Sequence, residues 1–365
     1  MKNPAKKHNF SVSTIFQKYA VIIAWIVLFI AFSIWMPGTF NSLLNIRTLL
    51  GSQAVLVVAS MAVLIPIVAG DYDMSVAATL TVVNIAVAKL NVDLGVPIGW
   101  CILIGLLIGA AVGAVNGLII TRFHLNAFIV TMGMYTLLSG IALMISNQTI
   151  TGVSQTLKNA VYVNKIFGIS PSFFYALILT IIIAYFLTMT TPGKRILIVG
   201  QGEDVARLSG INVERTRFFC FLASGVIAAI GGIMYTGVLG GGSPTGGLSY
   251  MMPAFAAVFL GSTCFKPGRF NAAGTIVAVY FLSTGTNGLQ LHGAQSYVTD
   301  LFYGIALIVS VIFAAVSKKA KEKNEIKMAK KESISDGANT KPKSPSPAIS
   351  DTGGSGGGGQ DTGTQ

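Results

Sequence analysis

Residues 191–217 read TPGKRILIVGQGEDVARLSGINVERTR, a polar and basic stretch set between two long apolar runs. About 20 apolar residues in a helix match the hydrocarbon core of a bilayer, so the flanking runs are long enough to cross one. The stretch between them then lies at a membrane face, and its Lys and Arg residues assign that face to the cytoplasm. Within it, Glu203 to Ser209 has the make-up of a short helix. Acids (Glu203, Asp204) come early, a base (Arg207) comes later, and Gly210 follows as a C-cap, the order that suits the helix dipole. Two readings fit this unit: a self-capped surface helix with no partner, or a rigid knob that fits a groove on a cytoplasmic protein and passes force to the adjoining spans, 172–190 and 218–239.

The composition agrees with a membrane chain. Of 365 residues 53% are apolar and 10% charged, where a soluble globule carries about a quarter charged residues. The formal net charge of +12 does not indicate nucleic acid, because the basic residues sit in loops and a Lys-rich tail and not on one aromatic-interleaved face. Cys101, Cys220 and Cys264 all fall in apolar runs, without CxxC or Cys/His spacing, and read as small buried hydrophobes; neither a disulfide framework nor a metal site is expected. The basic start MKNPAKKHNF precedes the run Tyr19–Met36. That run is too long for a signal-peptide core and lacks a small-residue cleavage site, so it is read as a retained first span.

The fold expected is an all-α membrane protein, a polytopic bundle of about ten transmembrane helices with both termini cytoplasmic. The spans fall near 19–36, 49–69, 75–90, 97–121, 127–146, 172–190, 218–239, 253–264, 270–287 and 298–316, and they must be helices because lipid offers the backbone no hydrogen-bond partners. This divides the chain into a cytoplasmic segment (1–18), a membrane domain (19–317) and a tail (318–365) that is Lys-rich and then disordered. The tail's lysines suit anionic lipid headgroups, and its Ser/Pro/Gly/Thr-rich end has nothing to bury. Orientation follows from the bases. With the N-terminus inside, the inner loops hold Lys194, Arg195, Arg207, Arg215, Arg217, Lys266 and Arg269 among others, whereas the outer side holds only Arg47, Lys89, Lys158 and Lys165. Trp35 and Trp100 fall at outer ends, and the outer loop 147–171 reads as a short re-entrant or surface element. The glycine- and alanine-dense runs 105–117 (GLLIGAAVGAVNG) and 224–241 mark helices interior to the bundle.

Catalytic chemistry is poorly represented. No G-x-x-x-x-G-K-[ST] loop occurs. ILIVGQGEDVA imitates a dinucleotide-binding turn, but Val205 replaces the third glycine and membrane spans flank it where a βαβ unit is needed. His8, His124 and His292 are far apart, and no segment pairs carboxylates or carries a Ser/His/Asp set. An intramembrane enzyme would need convergent ionisable groups at one depth. A secondary carrier would favour acids inside the spans.

Three polar features remain as pathway or gating candidates. Asp71, Asp73 and Ser75 lie in VAGDYDMSVAA between the second and third spans. They form either a polar hinge bordering the pathway or a cytoplasmic turn in which Asp73 caps the following helix, and both can hold together. LGGGSPTGG (239–247), with Pro244, Thr245 and Gly246, breaks a helix at an outer end; it is a gate, a docking turn or an ordinary connection. Asn287, with Gln290, sits at the outer end of the ninth span, placed for contact with a neighbouring helix or with a polar solute.

Taken in order, these motifs resemble the permease subunits of bacterial ABC importers for monosaccharides, the ribose/xylose/galactose/arabinose and autoinducer-2 type, over about residues 37–316. The family's GGIDLSVG stands here as Gly70-Asp71-Tyr72-Asp73-Met74-Ser75-Val76-Ala77. Its coupling segment stands as Gly193-Lys194 through Gly200 and then Glu203-Asp204-Val205-Ala206-Arg207-Leu208-Ser209-Gly210-Ile211. A third signature stands as Ser243-Pro244-Thr245-Gly246, Phe255-Ala256-Ala257 and Gly261, followed by Gly274-Thr275 and Asn287-Gly288-Leu289. Asp71 and Ala77 replace glycines of the first motif, and Ser139-Gly140 replaces an Arg-Gly pair, the marks of a divergent branch. The resemblance implies an inner-membrane transport subunit with no catalytic activity or cofactor of its own. It also implies an ATP-binding subunit that holds ATP-Mg, a periplasmic or lipid-anchored sugar-binding protein, and a second permease copy or paralogue. Glu203, Asp204, Ala206, Arg207, Leu208, Ser209 and Gly210 then carry the coupling to the ATPase.

Overall fold

A computed structural model describes residues 12–265, 268–313 and 316; for residues 12–18 it describes the backbone alone. Of the cytoplasmic segment expected at 1–18, residues 1–11 lie outside the described residues, as do Lys266, Pro267 and the Lys-rich tail, and the chain is helical from Val12.

The chain is an all-α membrane protein. Among the described residues six stretches are long and apolar enough to cross a membrane: Leu43–Val68, Ile98–Phe123, Ala127–Ile145, Pro171–Met189, Val213–Leu239 and Ser296–Phe313. Shorter apolar helices cover Tyr19–Trp35, Val76–Val92 and Gly246–Gly261. In chain order the helices are α1 (Val12–Trp35), α2 (Leu43–Ser52), α3 (Ala54–Val68), α4 (Val76–Val92), α5 (Ile98–Phe123), α6 (Ala127–Ile145), α7 (Gln155–Lys158), α8 (Pro171–Met189), α9 (Thr191–Val199), α10 (Glu203–Leu208), α11 (Val213–Leu239), α12 (Met251–Gly261), α13 (Ala272–Leu291) and α14 (Ser296–Phe313). Two-residue strands β1 (Ile150–Thr151) and β2 (Gly241–Gly242) pair antiparallel, with Ile150 opposite Gly242.

The centre of the bundle is α3. All of its residues are buried, as expected of a helix that is apolar on every side. Around it stand α11, α4, α12, α8 and α13, and α11 packs most extensively on α5. That crossing is made by glycine. Gly105, Gly109, Gly113 and Gly117 recur every fourth residue along one buried face of α5. A Cβ on Gly109 would stand 2.4 Å from the Gly225 carbonyl oxygen of α11, and one on Gly113 would stand 2.4 Å from the Phe221 carbonyl oxygen. The two backbones thus touch, the packing small residues permit between membrane helices. The opposite side of α5 exposes Leu103, Leu107 and Leu118, and α1, α6 and α8 expose Ile26, Ile129 and Ile181. An apolar perimeter around a close-packed centre suits lipid as the solvent.

The first helix is pinned to the bundle by aromatic and polar contacts. Trp25 Nε1 donates to Thr284 Oγ1 at 2.8 Å and its ring stacks on Tyr280. The Tyr280 hydroxyl in turn donates to the Leu50 carbonyl at 2.9 Å.

Helix boundaries depart from the expected spans where polar residues continue a helix beyond the apolar run. The span expected at 49–69 is two helices, α2 capped by Ser42 and α3, broken at Gln53. The helix expected from 218 starts at Val213, because the Asn212 side chain accepts the Arg215 N–H. In the 191–217 stretch there is a helix beyond the one expected. Thr190 caps α9 by accepting the Gly193 N–H, and Pro192 sits in its first turn.

Candidate functional site

Two groups of hydrogen-bonded polar residues lie towards the two ends of α11. At the first end, α9 runs in from α8, and α10 follows after Gly200, Gln201 and Gly202. The Gly200 backbone lies against the end of α3, where a Cβ would stand 2.0 Å from the Val68 carbonyl oxygen. The six-residue α10 is held to its neighbours by a small apolar cluster of Val199, Ala206 and Val213, flanked by Ile198 and Ile211. Its C-terminus is a Schellman motif: the Ile211 N–H donates to the Ala206 carbonyl and the Gly210 N–H to the Arg207 carbonyl, both at 3.0 Å. Gly210 has φ +73°, the left-handed conformation that a C′ residue takes and that glycine adopts freely. Ala206 points into the cluster, whereas Leu208 is 90% exposed and Val205 57% exposed. Glu203, Asp204, Arg207 and Ser209 are also exposed. The unit therefore presents apolar side chains outward from a fixed frame.

The α3–α4 turn lies beside it. Pro66 sits in the last turn of α3, and Ala69 to Asp71 close over its final carbonyls. Asp71 and Asp73 are both buried and make different bonds. Asp71 forms a two-pronged pair with Arg217 of α11: Arg217 Nε donates to Oδ2 and Nη2 to Oδ1, each at 2.7 Å. The Arg217 side chain is only 14% exposed. Burial pushes the Asp71 carboxyl above its ordinary pKa, and the hydrogen bonds and charge of Arg217 oppose that rise. Removing one partner of such a buried pair costs about 3–5 kcal/mol, because the other charge is left uncompensated.

Asp73 orders the turn that leads into α4. Its Oδ1 accepts the Ser75 N–H at 3.0 Å and the Ser75 hydroxyl at 2.6 Å, and its Oδ2 accepts the Ser224 hydroxyl of α11 at 2.7 Å. Asn116 of α5 donates to Ser75 Oγ at 2.8 Å. Thr131 of α6 donates to the Tyr72 carbonyl and accepts the Met74 N–H, both at 3.0 Å. Side chains from α5, α6 and α11 thus converge on one turn, and both oxygens of the buried Asp73 carboxyl have hydrogen-bond donors. The helix starts at Val76 with Ser75 as its N-cap, so Asp73 orders the preceding turn and is not itself the cap. The tie to Ser224 goes further and makes the turn part of the α11 packing.

At the opposite end the glycine-rich break after α11 is held by Asn84 of α4. Asn84 Nδ2 donates to Thr236 Oγ1 at 2.9 Å and to the Gly241 carbonyl at 3.1 Å, while its Oδ1 accepts the Ser243 N–H at 2.7 Å. The β1–β2 pair ties the same break to the 147–171 segment. Pro244 is buried, Thr245 exposed and Gly246 partly buried, and the Gly246 N–H donates to Ser243 Oγ at 3.0 Å. Asn287 accepts from Asn45 Nδ2 at 3.0 Å, an interhelical bond between α13 and α2.

The structure therefore divides the candidates into two groups. Asp71, Asp73 and Ser75 adjoin the α10 unit, and Pro244, Thr245 and Gly246 lie at the far end of α11; Asn287 belongs to a separate helix contact. Sequence reading missed Arg217, Ser224, Asn116 and Asn84. Each is a lone polar residue whose partners are distant in sequence; Arg217 and Asp71 are 146 positions apart. Among the described residues no group of three or more His, Cys, Asp or Glu could hold a metal.

A helical bundle packed on glycine around a buried central helix, with an apolar perimeter, is an integral membrane protein. The family model described as branched-chain amino acid transport system / permease component matches residues 45–311, and the chain belongs to that family. It is 29% identical over 318 residues to the L-arabinose transport system permease protein AraH of Escherichia coli K12, covering 87% of this chain and 96% of the relative. It is 32% identical over 300 residues to the ribose import permease protein RbsC of Bacillus subtilis 168 (82% and 92%). Identity to the D-allose transport system permease protein AlsC of E. coli K12 is 27% over 314 residues (86% and 94%). No solved structure matches.

Proposed function

We propose that this chain is the transmembrane permease subunit of an ATP-binding-cassette importer in the bacterial inner membrane. It provides the pathway for a monosaccharide or a related small polar solute. It crosses the membrane ten times with both ends in the cytoplasm, so that α10 and the Asp71–Arg217 pair face the cytoplasm and the Asn84–Gly241 end faces the periplasm. ATP-Mg is bound and hydrolysed on a separate subunit, which docks on α10. A sugar-binding protein, periplasmic or lipid-anchored, delivers the solute at the opposite end, and a second permease copy or paralogue completes the pathway.

The observation that carries this reading is the α10 unit. A six-residue helix with Leu208 90% exposed is too short to persist alone, yet it is closed by a Schellman motif and anchored through Ala206. An apolar side chain held rigidly in water is what a protein groove recognises. The near full-length match to sugar permeases supplies the class of cargo. Affinity purification of the permease co-expressed with its ATP-binding subunit tests the reading. The wild type retains the ATPase, and Leu208→Glu, which buries nothing in the permease itself, loses it. Equal retention by both would remove α10 as the dock.

A further inference from the structure

The ion pairs at the α10 end form a connected chain. Arg217 uses all three guanidinium nitrogens: Nε and Nη2 hold Asp71 at 2.7 Å, and Nη1 holds Glu203 at 3.0 Å. Glu203 opens α10, and Asp71 lies in the α3–α4 turn. Arg217 is thus the charged link between the two, and its planar fork lets one side chain grip both at once. The turn is held to α11 at a second point by the Asp73–Ser224 bond. Ser224 follows Arg217 by seven residues, two helical turns or about 10 Å along α11. A turn fixed at two points so far apart cannot pivot on the helix.

The chain joints of α10 are glycines: Gly200, whose backbone packs against the end of α3, and Gly202 precede it, and Gly210 follows it. The apolar cluster around Ala206 ties α10 to α9 and α11 and does not reach the turn. The other pair of α10, Arg207 with Glu214, also stays between α10 and the start of α11.

We infer that Arg217 is a positioning residue that makes α10 and the 69–75 turn one rigid piece, so that a displacement of α10 arrives directly at α3 and α4. The use of that linkage rests on the reading of α10 as the ATPase dock; the linkage itself does not. Movement of the knob would then act on the buried central helix of the bundle as well as on its covalent neighbours.

The test places nitroxide labels at Tyr72→Cys and Leu208→Cys, both exposed positions; the three native cysteines are buried and stay in place. Distances are measured by pulsed electron resonance in the permease alone, in lipid nanodiscs. The inference expects one narrow distance in the otherwise wild-type chain and its loss in Arg217→Met and in Glu203→Ala. Glu203 is half-exposed, so Glu203→Ala removes the acceptor of the link without endangering the fold. Glu214→Ala breaks the neighbouring pair and keeps the narrow distance at a matched melting temperature. A narrow distance that survives Glu203→Ala, or one lost equally in Glu214→Ala, overturns the inference. Failure of the ATP-binding subunit to bind the unlabelled permease would refute the functional reading, while the nanodisc distances would still decide the linkage.

Discussion

Substitution at Gly210 isolates the contribution of backbone conformation to the α10 unit. Gly210 has φ +73°, and a Cβ built there meets nothing within 4 Å. Room is therefore not at issue, and the whole cost comes from the left-handed conformation. That conformation costs an ordinary L-residue about 1–2 kcal/mol, and a β-branched side chain lies at the upper end or beyond. Asn, whose short polar side chain bonds locally, pays less. A loss of about 1–2 kcal/mol shifts the balance between capped and frayed forms by a factor of about 5–30. The order expected is Gly, Asn, Ala, Val, from most to least capped. Amide hydrogen exchange of Ile211 and Gly210, whose N–H groups close the Schellman motif, reads this order directly, and retention of the ATP-binding subunit should follow it. If Asn is as damaging as Val, side-chain contact at this position decides the outcome, and the conformational argument fails.

Other substitutions probe the rest of the molecule. Gly113→Val places a Cβ 2.4 Å from the Phe221 carbonyl oxygen and should destabilise the bundle by about 1–3 kcal/mol or more, whereas Gly140→Val on α6, with nothing within 4 Å, should leave the detergent melting temperature nearly unchanged; equal effects would refute the account of the α5–α11 crossing. Asn84→Leu removes three hydrogen bonds and strands the Ser243 N–H and Gly241 carbonyl, at about 1–3 kcal/mol for each buried group left unpaired; faster proteolysis within 239–247 should reveal it, and an unchanged cleavage rate would argue against Asn84 as the anchor. A cysteine at Ser209 should react only with cytoplasmic reagent and one at Thr156 only with periplasmic reagent, both positions being exposed; labelling of both from one side would overturn the ten-span arrangement.

The bundle was legible in the sequence because lipid imposes a simple rule: apolar runs of sufficient length become helices. The runs expected at 97–121, 127–146 and 172–190 match α5, α6 and α8 within two residues at either end. The rule loses sight of helices that continue beyond the apolar run. The first turns of α11, with Glu214, Arg215 and Arg217, read as loop by their charge, and α9 read as part of a polar connection. The glycine- and alanine-dense runs 105–117 and 224–241 marked interior helices, but only the structure shows that α5 and α11 cross each other. The Gly210 cap was readable because capping is local. The Asp71–Arg217 and Asn84–Ser243 contacts were not, since each joins positions more than a hundred residues apart and depends on how α4 and α11 lie together.

The most direct measurement of the central claim is solute uptake into proteoliposomes that contain this permease and its ATP-binding subunit, with the binding protein outside and ATP inside. Labelled L-arabinose, D-ribose and D-allose, the sugars of the related permeases, serve as probes. The account predicts accumulation of at least one of them only when both Mg-ATP and the binding protein are present, and loss of accumulation in Leu208→Glu. Accumulation that proceeds without ATP, driven by an ion gradient alone, would contradict the account and make this chain a carrier in its own right.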